Sequence, residues 1–180
     1  MLKQDSENAR LQALQMLSDA NIVVTPTEAN EIEIADFGLG RLREIGLQII
    51  VYINTRRVCA KELVMFPRQI CPEHRHPNVM DESGKEETFR CRWGQVYLYV
   101  PGEANTHPNA SLPEDKKESF TVWNQVTLNP GDQYTISADT LHWFQAGEAG
   151  AIVSEFSTTS RDEFDIFTDA KIQRMPTIQS

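Results

Sequence analysis

Apolar residues recur along this chain with two different spacings, and the change between them divides it. Leucines recur every three residues between Ser6 and Asp19, which predicts a short amphipathic helix with Ser6 as its N-cap. The stretch Thr25 to Glu28 has the form of a capping box with proline at the first helical position. A second short helix is therefore expected to run to about Ile34.

From Leu47 onward the pattern changes to short segments rich in β-branched and aromatic residues, punctuated by turn residues. Eight such segments predict strands: Leu47–Asn54, Glu62–Phe66, Glu87–Trp93, Gln95–Val100, Thr121–Leu128, Gln133–Ile136, His142–Ala146 and Ile152–Ser157. No helical pattern separates them, so they favour a β-sandwich or barrel over a parallel α/β sheet. The polar stretch Pro101–Ser119 is expected to form a long surface loop.

This organisation predicts a single domain over residues 1–180. An N-terminal helical segment would cover residues 1–45 and a β-barrel residues 46–160, with residues 161–180 as a C-terminal tail packed on the barrel. A length of 180 residues suits one sizeable core.

Charge narrows the classes of partner. There are 17 Lys and Arg residues against 26 Asp and Glu, giving a net charge of −9, and no basic run is longer than two. Such a surface repels phosphates, which argues against nucleic acid and anionic membranes as partners.

The chain also carries features of a reduced, cytoplasmic protein. Its first residues are polar, with no apolar stretch typical of a secretory signal. The longest apolar run, Ile49–Ile53, is far too short to span a membrane. The three cysteines form no C-x-x-C pair, so we expect reduced thiols rather than a disulfide framework or a thiolate zinc site.

Three of the four histidines lie where strands predict inward side chains. His74 and His76 are two residues apart, so on an extended segment their rings share a face while Arg75 points away. Glu87 alternates with apolar residues on its strand and is expected to face the core, where an ionised carboxylate is costly unless it is paired or binds a metal. His142 opens a later strand on the same face as Phe144 and is also expected inward.

Three imidazoles and one carboxylate, converging inside a barrel, would form a metal site. This donor set leaves one or two octahedral positions open and suits Mn²⁺, Fe²⁺, Co²⁺ or Ni²⁺, with Zn²⁺ more often four-coordinate. The fourth histidine, His107, lies in the polar loop and is expected to be solvated.

These residues resemble the cupin motifs. His74-x-His76 is followed by Glu87, and Gly94 follows seven residues later; Pro130-Gly131 then precedes His142. Ten residues separate His76 from Glu87, where the general motif has three or four. The resemblance implies an all-β cupin fold, a double-stranded β-helix or jelly-roll barrel, with a short N-terminal helical extension.

The longer segments around these positions are similar to the D-lyxose isomerase family of sugar-isomerising cupins. They are Asp36–Gly40, Lys61–Val64, Cys71–Pro77, Gly84–Cys91, Tyr97–Val100, Tyr134–Ile136, His142–Gly147 and Asp165–Asp169. The resemblance spans about residues 22–172. It implies a manganese-dependent aldose–ketose isomerase that interconverts D-lyxose and D-xylulose, often with D-mannose and D-fructose as a second pair.

Residue by residue, the resemblance assigns His74, His76, Glu87 and His142 to the metal, with Mn²⁺ expected and Co²⁺, Fe²⁺, Ni²⁺ or Zn²⁺ as alternatives. It places Lys85 beside the metal, and it matches the family's catalytic glutamate to Glu155. With a divalent metal holding the open-chain sugar, Glu155 and Lys85 would act as an acid/base pair. Glu155 alternates with Ala151 and Val153, so its setting is expected to be buried and apolar, which favours a general base.

Two phenylalanines are expected to line the sugar pocket. Phe89 and Phe144 each lie two residues after a proposed ligand, on the same face of its strand. Plain barrel core is the competing interpretation of both.

Three other functions use similar sites. A cupin dioxygenase would use Fe²⁺ and O₂ on the same ligands, and a non-catalytic cupin would bind metal and sugar without turnover. A phosphorylated sugar would need a cationic clamp, which the sequence does not reveal. The favoured partner is a small neutral monosaccharide, and a homodimer is expected from an exposed sheet edge.

Overall fold

The computed structural model describes residues 1–175 and is dominated by strands. Two helices, α1 (Lys3–Asp19) and α2 (Pro26–Glu31), precede the sheet. The strands are β1 (Glu33–Ala35), β2 (Leu47–Asn54), β3 (Cys59–Met65), β4 (Ile70–Arg75), β5 (Glu87–Val100), β6 (Asn124–Leu128), β7 (Gln133–Ile136), β8 (His142–Ser157) and β9 (Ile166–Phe167). Short 3₁₀ helices cover Glu114–Ser119, inside the predicted loop, and Asp162–Phe164.

The N-terminal predictions hold in outline and fail at two boundaries. The N-cap of α1 is Leu2, four residues earlier than expected, and Ser6 is a buried helical residue. α2 has the predicted capping box at Thr25 but ends at Glu31. The expected extension to Ile34 is wrong because the chain becomes extended at Ile32 and pairs with the edge of β2 as β1.

All strand pairings are antiparallel, and two long strands curl the sheet on itself. β8, of 16 residues, pairs with β3, β4 and β5, while β5, of 14 residues, also pairs with β6 and β7. The result is a curled cupin sheet whose inner face surrounds the core, as the sequence predicted.

Each of these long strands was predicted as two. β5 continues through Gly94 with register shifts on either side of it, and β8 continues through Gly147 and Gly150. Gly94 has a φ of +73°, and a Cβ there would lie 2.1 Å from the carbonyl oxygen of Gly150. The glycines therefore permit two bulged strands to approach closely, rather than ending them.

β4 and β9 were not predicted, and both help to place the site. β4 contains Pro72 at an irregularity in its pairing with β8, so its sequence does not have a regular strand pattern. β9 pairs with β4 opposite His74 and draws the C-terminal segment against the site. The division into three segments stays a prediction, and residues 176–180 of the predicted tail lie outside the described residues.

Two apolar clusters hold the fold together. The larger lies inside the curled sheet, and the smaller lies where α1 packs on its outer face through Ala9, Ala13 and Leu17. Neither helix within residues 1–175 combines the length and apolar character needed to cross a bilayer.

Gln48 on β2 is a buried polar residue beside the smaller apolar cluster, where it pairs with Ile34 and Val64. Its side chain is fully buried, yet within the described part of the chain neither its amide nitrogen nor its amide oxygen has a hydrogen-bond partner. Because an unpaired buried polar group costs about 1–3 kcal/mol, we expect Gln48→Met, which keeps the volume, to raise the free energy of unfolding by about 1 kcal/mol. Thermal denaturation should show a midpoint about 2–4 °C higher. A lower midpoint would mean that the amide is satisfied within the fold.

Candidate metal centre

Three imidazoles converge on the inner face of the sheet, as the sequence predicted. His74 lies on β4 directly opposite His142 at the start of β8, and His76 follows immediately after β4. All three rings are buried, and one nitrogen from each lies within 4.8 Å of the others. Arg75 points the other way and pairs with Asp139, which confirms the predicted alternation.

The Nδ1 atom of each ring is held by an acceptor outside the cluster. His74 Nδ1 lies 2.8 Å from the carbonyl oxygen of Pro72, and His142 Nδ1 lies 2.9 Å from that of Thr140. His76 Nδ1 lies 2.5 Å from Oδ1 of Asp165. Since these oxygens accept, each Nδ1 donates, and each Nε2 is left to face the centre of the cluster. Such outer contacts are how metal-binding histidines are usually oriented.

Glu87 completes the cluster from β5, on the inward face that its alternation predicted. Its Oε1 lies 3.2 Å from His76 Nε2 and 2.9 Å from His142 Nε2. The second contact lacks hydrogen-bond direction, so His142 Nε2 is a buried nitrogen without a hydrogen-bond partner among residues 1–175. A divalent cation would satisfy it, and three imidazoles with a carboxylate suit such a cation. The residues present therefore fit a metal.

Burial and neighbouring charges shift the pKa of His74, Glu87 and His76. Burial, together with the charges of His142 and His76, lowers the pKa of His74 well below its ordinary value and favours the neutral ring. Burial raises the pKa of Glu87, but Lys85 and His76 outweigh it and hold the pKa well below its ordinary value. Burial lowers the pKa of His76, while Glu87 and Asp165 raise it to about 9.

Lys85 links the candidate metal cluster to Glu155. Its Nζ lies 2.8 Å from Oε2 of Glu87 and 3.0 Å from Oε1 of Glu155, and all three side chains are buried. Burial lowers the pKa of Lys85, but the neighbouring carboxylates raise it well above its ordinary value. The expectation of an apolar setting for Glu155 is wrong, because Lys61 also lies 3.9 Å from its Oε1.

The cavity beside these groups is lined by charged and by apolar residues. The charged ones are called the charged wall here: Lys61, Lys85, Glu155, Asp162 and Arg174. The cavity encloses about 410 Å³, counting its open mouth. Phe89 and Phe144 line it with ring centroids 5.0 Å apart, so the structure brings both to the predicted pocket. His107 is exposed in its loop and takes no part.

Sequence reasoning missed a group of residues on the charged wall and beside the imidazoles. They are Lys61 on β3 and, from the C-terminal segment, Asp162, Asp165, Phe167 and Arg174. Phe167 stacks on His74 with ring centroids 5.3 Å apart. Lys61 and Asp165 lie in segments that carry the family resemblance, and that resemblance is the signal that could have identified them.

Asp165 orients a proposed ligand, which gives a direct prediction. We expect Asp165→Asn to weaken metal binding by about 10–100-fold, because the amide holds the His76 ring less firmly than the carboxylate does. Titration of the metal-free protein with Mn²⁺ measures this. Asp169→Asn is the matched control, since Asp169 lies in the same segment and pairs with Lys116 away from the cavity. Equal affinities in both variants would contradict the role.

The curled sheet and its buried histidine cluster define a cupin with a candidate metal centre. Among solved structures, the L-ribose isomerase of Cellulomonas parahominis superposes with a TM-score of 0.83 over 99% of this chain and 98% of that one, at 17% identity. The L-ribose isomerase of Acinetobacter sp. DL28 gives 0.83 at 15% identity, over 99% and 98%. These similarities establish the cupin fold.

Sequence comparisons identify the family. The model of the D-lyxose isomerase family matches residues 28–180. A D-lyxose ketol-isomerase of Thermofilum sp. is 59% identical over 99% of both chains. A D-lyxose/D-mannose isomerase of Thermosediminibacter oceani is 60% identical over 92% of this chain and 91% of its own. The chain belongs to the D-lyxose isomerase family and is a sugar aldose–ketose isomerase.

Proposed function

We propose that this protein interconverts D-lyxose and D-xylulose, with D-mannose and D-fructose as a second pair. The observation that carries the proposal is the position of Glu155, which lines the same cavity as His74, His76 and Glu87. The names of the 59% and 60% identical relatives support the choice of sugars. The substrate is then a small neutral monosaccharide.

We assign the metal to His74, His76, Glu87 and His142, with Mn²⁺ as the proposed ion. Nitrogen and oxygen donors without thiolate suit Mn²⁺, and also Co²⁺, Fe²⁺, Ni²⁺ and Zn²⁺. A divalent ion bound there would polarise the carbonyl of the open-chain sugar and stabilise negative charge on its oxygens.

Glu155 is the proposed general base. An aldose becomes a ketose when the hydrogen at C2 moves to C1 and the hydroxyl proton moves from O2 to O1. In this proposal the carboxylate of Glu155 takes the C2 proton, which leaves an enediolate with negative charge on O1. The O2 proton then passes to O1, and Glu155 returns its proton to C1 as the C2 carbonyl forms. Lys85, beside Glu155, donates a hydrogen bond to the oxygen that gains negative charge. Phe89 and Phe144 exclude water from the apolar side of the sugar.

The charged wall argues against a phosphorylated sugar. Lys61, Lys85 and Arg174 each already contact a carboxylate at 2.8 Å or less. A phosphate would have to displace those carboxylates, so a neutral sugar suits the cavity better.

Two alternatives make different experimental predictions. A dioxygenase needs O₂, so conversion of an aldopentose to its ketose without oxygen would exclude it. A non-catalytic cupin would bind sugar without equilibrating it. The decisive assay incubates the Mn²⁺-loaded protein with a panel of aldoses under anaerobic conditions and analyses the ketoses formed. No ketose from any aldose would overturn the proposal.

Isotope incorporation tests the route of the hydrogen. If Glu155 carries the proton, D-xylulose formed from D-lyxose in deuterated water should contain solvent deuterium at C1, since a carboxylate can exchange its proton with solvent. Nuclear magnetic resonance of the product measures it. Complete absence of label, together with normal turnover, would favour a direct hydride transfer from C2 to C1 and remove Glu155 from this role.

A homodimer is proposed as the assembly. Tyr52 on β2 and Phe156 on β8 are 41% and 52% exposed, which gives the sheet apolar surface for a second copy to cover. A monomer in sedimentation equilibrium would contradict it.

A further inference from the structure

We propose that Lys61 and Asp162 are positioning residues for Glu155: Asp162 holds the Lys61 ammonium away, so that Glu155 keeps one free carboxylate oxygen for the substrate proton. This inference rests on the proposed function. It adds two residues that do not touch the metal ligands, and it assigns different tasks to the two oxygens of one carboxylate.

The two oxygens of Glu155 have different surroundings. Oε1 lies 3.0 Å from Lys85 Nζ, accepts a hydrogen bond of 3.3 Å from Ser157 and lies 3.9 Å from Lys61 Nζ. Within residues 1–175, Oε2 makes no hydrogen bond or ion pair, and Glu155 lines the cavity. A carboxylate anchored through one oxygen and free at the other is arranged to accept a proton in one place.

Lys61 would be expected to pair directly with Glu155. The two residues lie opposite each other in the β3–β8 ladder, and both side chains are 4% exposed. A direct ion pair is the simplest arrangement for opposite charges in that position. Instead, Lys61 Nζ lies 2.7 Å from Asp162 and 2.8 Å from the Ser160 hydroxyl. Its distance to Glu155 is longer, at 3.9 Å.

A brace from β2 fixes the backbone that carries these partners. Asn54, at the end of β2, donates a hydrogen bond of 2.9 Å to the carbonyl oxygen of Ser160. Its own amide oxygen accepts one of 3.1 Å from the backbone nitrogen of Ser160. Asn54 on β2 therefore fixes the backbone at Ser160, and the segment that carries Ser160 and Asp162 in turn fixes the ammonium group of Lys61 on β3.

Asp162 lies next to all three positively charged side chains of the charged wall. Besides Lys61, it contacts Arg174 at 2.8 Å and lies 3.9 Å from Lys85. Burial raises the pKa of Asp162, but Lys85, Lys61 and Arg174 outweigh it and hold the pKa well below its ordinary value. Without this negative charge, Glu155 would be the nearest remaining carboxylate for Lys61, and its free oxygen would be drawn into an ion pair.

Two substitutions should shift the pH dependence in opposite directions. Asp162→Asn leaves the lysines to Glu155, so the acid limb of the kcat profile should move to lower pH by about one unit and kcat should fall about tenfold. Lys61→Met removes a positive charge beside Glu155, so the acid limb should move to higher pH by a similar amount. KM should change less than kcat in both variants.

Neither substitution changes the identity of the other charged and titratable groups around Glu155. They are Lys85 ahead of β5, Glu87 on β5, Cys59 on β3, and Arg174 beyond Asp162. Opposite shifts then report the charges that were changed. Manganese content and circular dichroism of each variant check that the site and fold persist.

Asp169→Asn provides the matched control. Asp169 lies in the same C-terminal segment as Asp162. Outside the cavity, it pairs at 2.6 Å with the largely buried Lys116. We expect a comparable loss of stability with the acid limb unchanged. The inference is overturned if Asp162→Asn behaves like Asp169→Asn, or if both test variants shift the limb in the same direction. A wild-type protein that isomerises no aldose would overturn the proposed function instead.

Discussion

Replacing Glu155 by glutamine is expected to lower kcat by about 10²–10⁴-fold, the usual contribution of a positioned general base. The amide is close to isosteric with the carboxylate, so it fills the same space beside Lys85 and Ser157. It cannot accept the C2 proton at neutral pH. Steady-state kinetics on D-lyxose measure the loss, and manganese content should stay near that of the wild type, because Glu155 is not a proposed ligand.

Glu62→Gln is the matched control for this variant. Glu62 is also a buried glutamate and lies next to Lys61 on β3. Its side chain lies on the opposite face of the sheet from Lys61, where it accepts hydrogen bonds from Ser154 and Tyr52. We expect nearly unchanged turnover. If Glu155→Gln loses its metal, or if Glu62→Gln loses as much activity, the division of roles is wrong.

Removal of the metal is expected to abolish isomerisation, to below about 10⁻³ of the untreated rate, because polarisation of the sugar carbonyl is then lost. Dialysis against a chelator, followed by addition of Mn²⁺, tests this without altering the chain. His142→Asn should have the same effect and should not be restored by moderate Mn²⁺, since it removes a fully buried proposed ligand.

His107→Asn is the matched histidine control, because His107 is exposed in a polar loop. It should retain activity and metal content. Full activity after chelation, with no metal detected by mass spectrometry, would contradict a metal-dependent mechanism. Restoration by one ion far above the others would identify the preferred metal.

Alternation along strands predicted the site where the backbone is regular. His74, His76, Glu87 and His142 lie on the inward face because side chains two residues apart share a face. The same rule failed to predict β4, although β4 carries His74, one of the proposed ligands. Its Pro72 and Glu73 are atypical of strands, and Glu73 is buried because it accepts hydrogen bonds from Thr121 and Thr168 on distant segments.

Residues whose role depends on distant contacts escaped prediction. Lys61 is polar in a strand pattern, and nothing local indicates that it meets Asp162 about a hundred positions away. Asp165 belongs to a segment with little regular structure, placed by the short pairing of β9 with β4. The resemblance to the family supplied the assignment of Glu155, which its local pattern did not distinguish from a structural ion pair.

The pairing of β8 has a consequence for how the protein folds. β8 joins residues 142–157 to β3 at residues 59–65 and to β5 at residues 87–100, so the ladders connect chain positions far apart. Contacts of such long sequence separation form slowly. Glu155 meets Lys61 only when the β3–β8 ladder has formed. Regain of isomerase activity during refolding should therefore follow the slowest kinetic phase, after the far-ultraviolet signal of α1 has already returned.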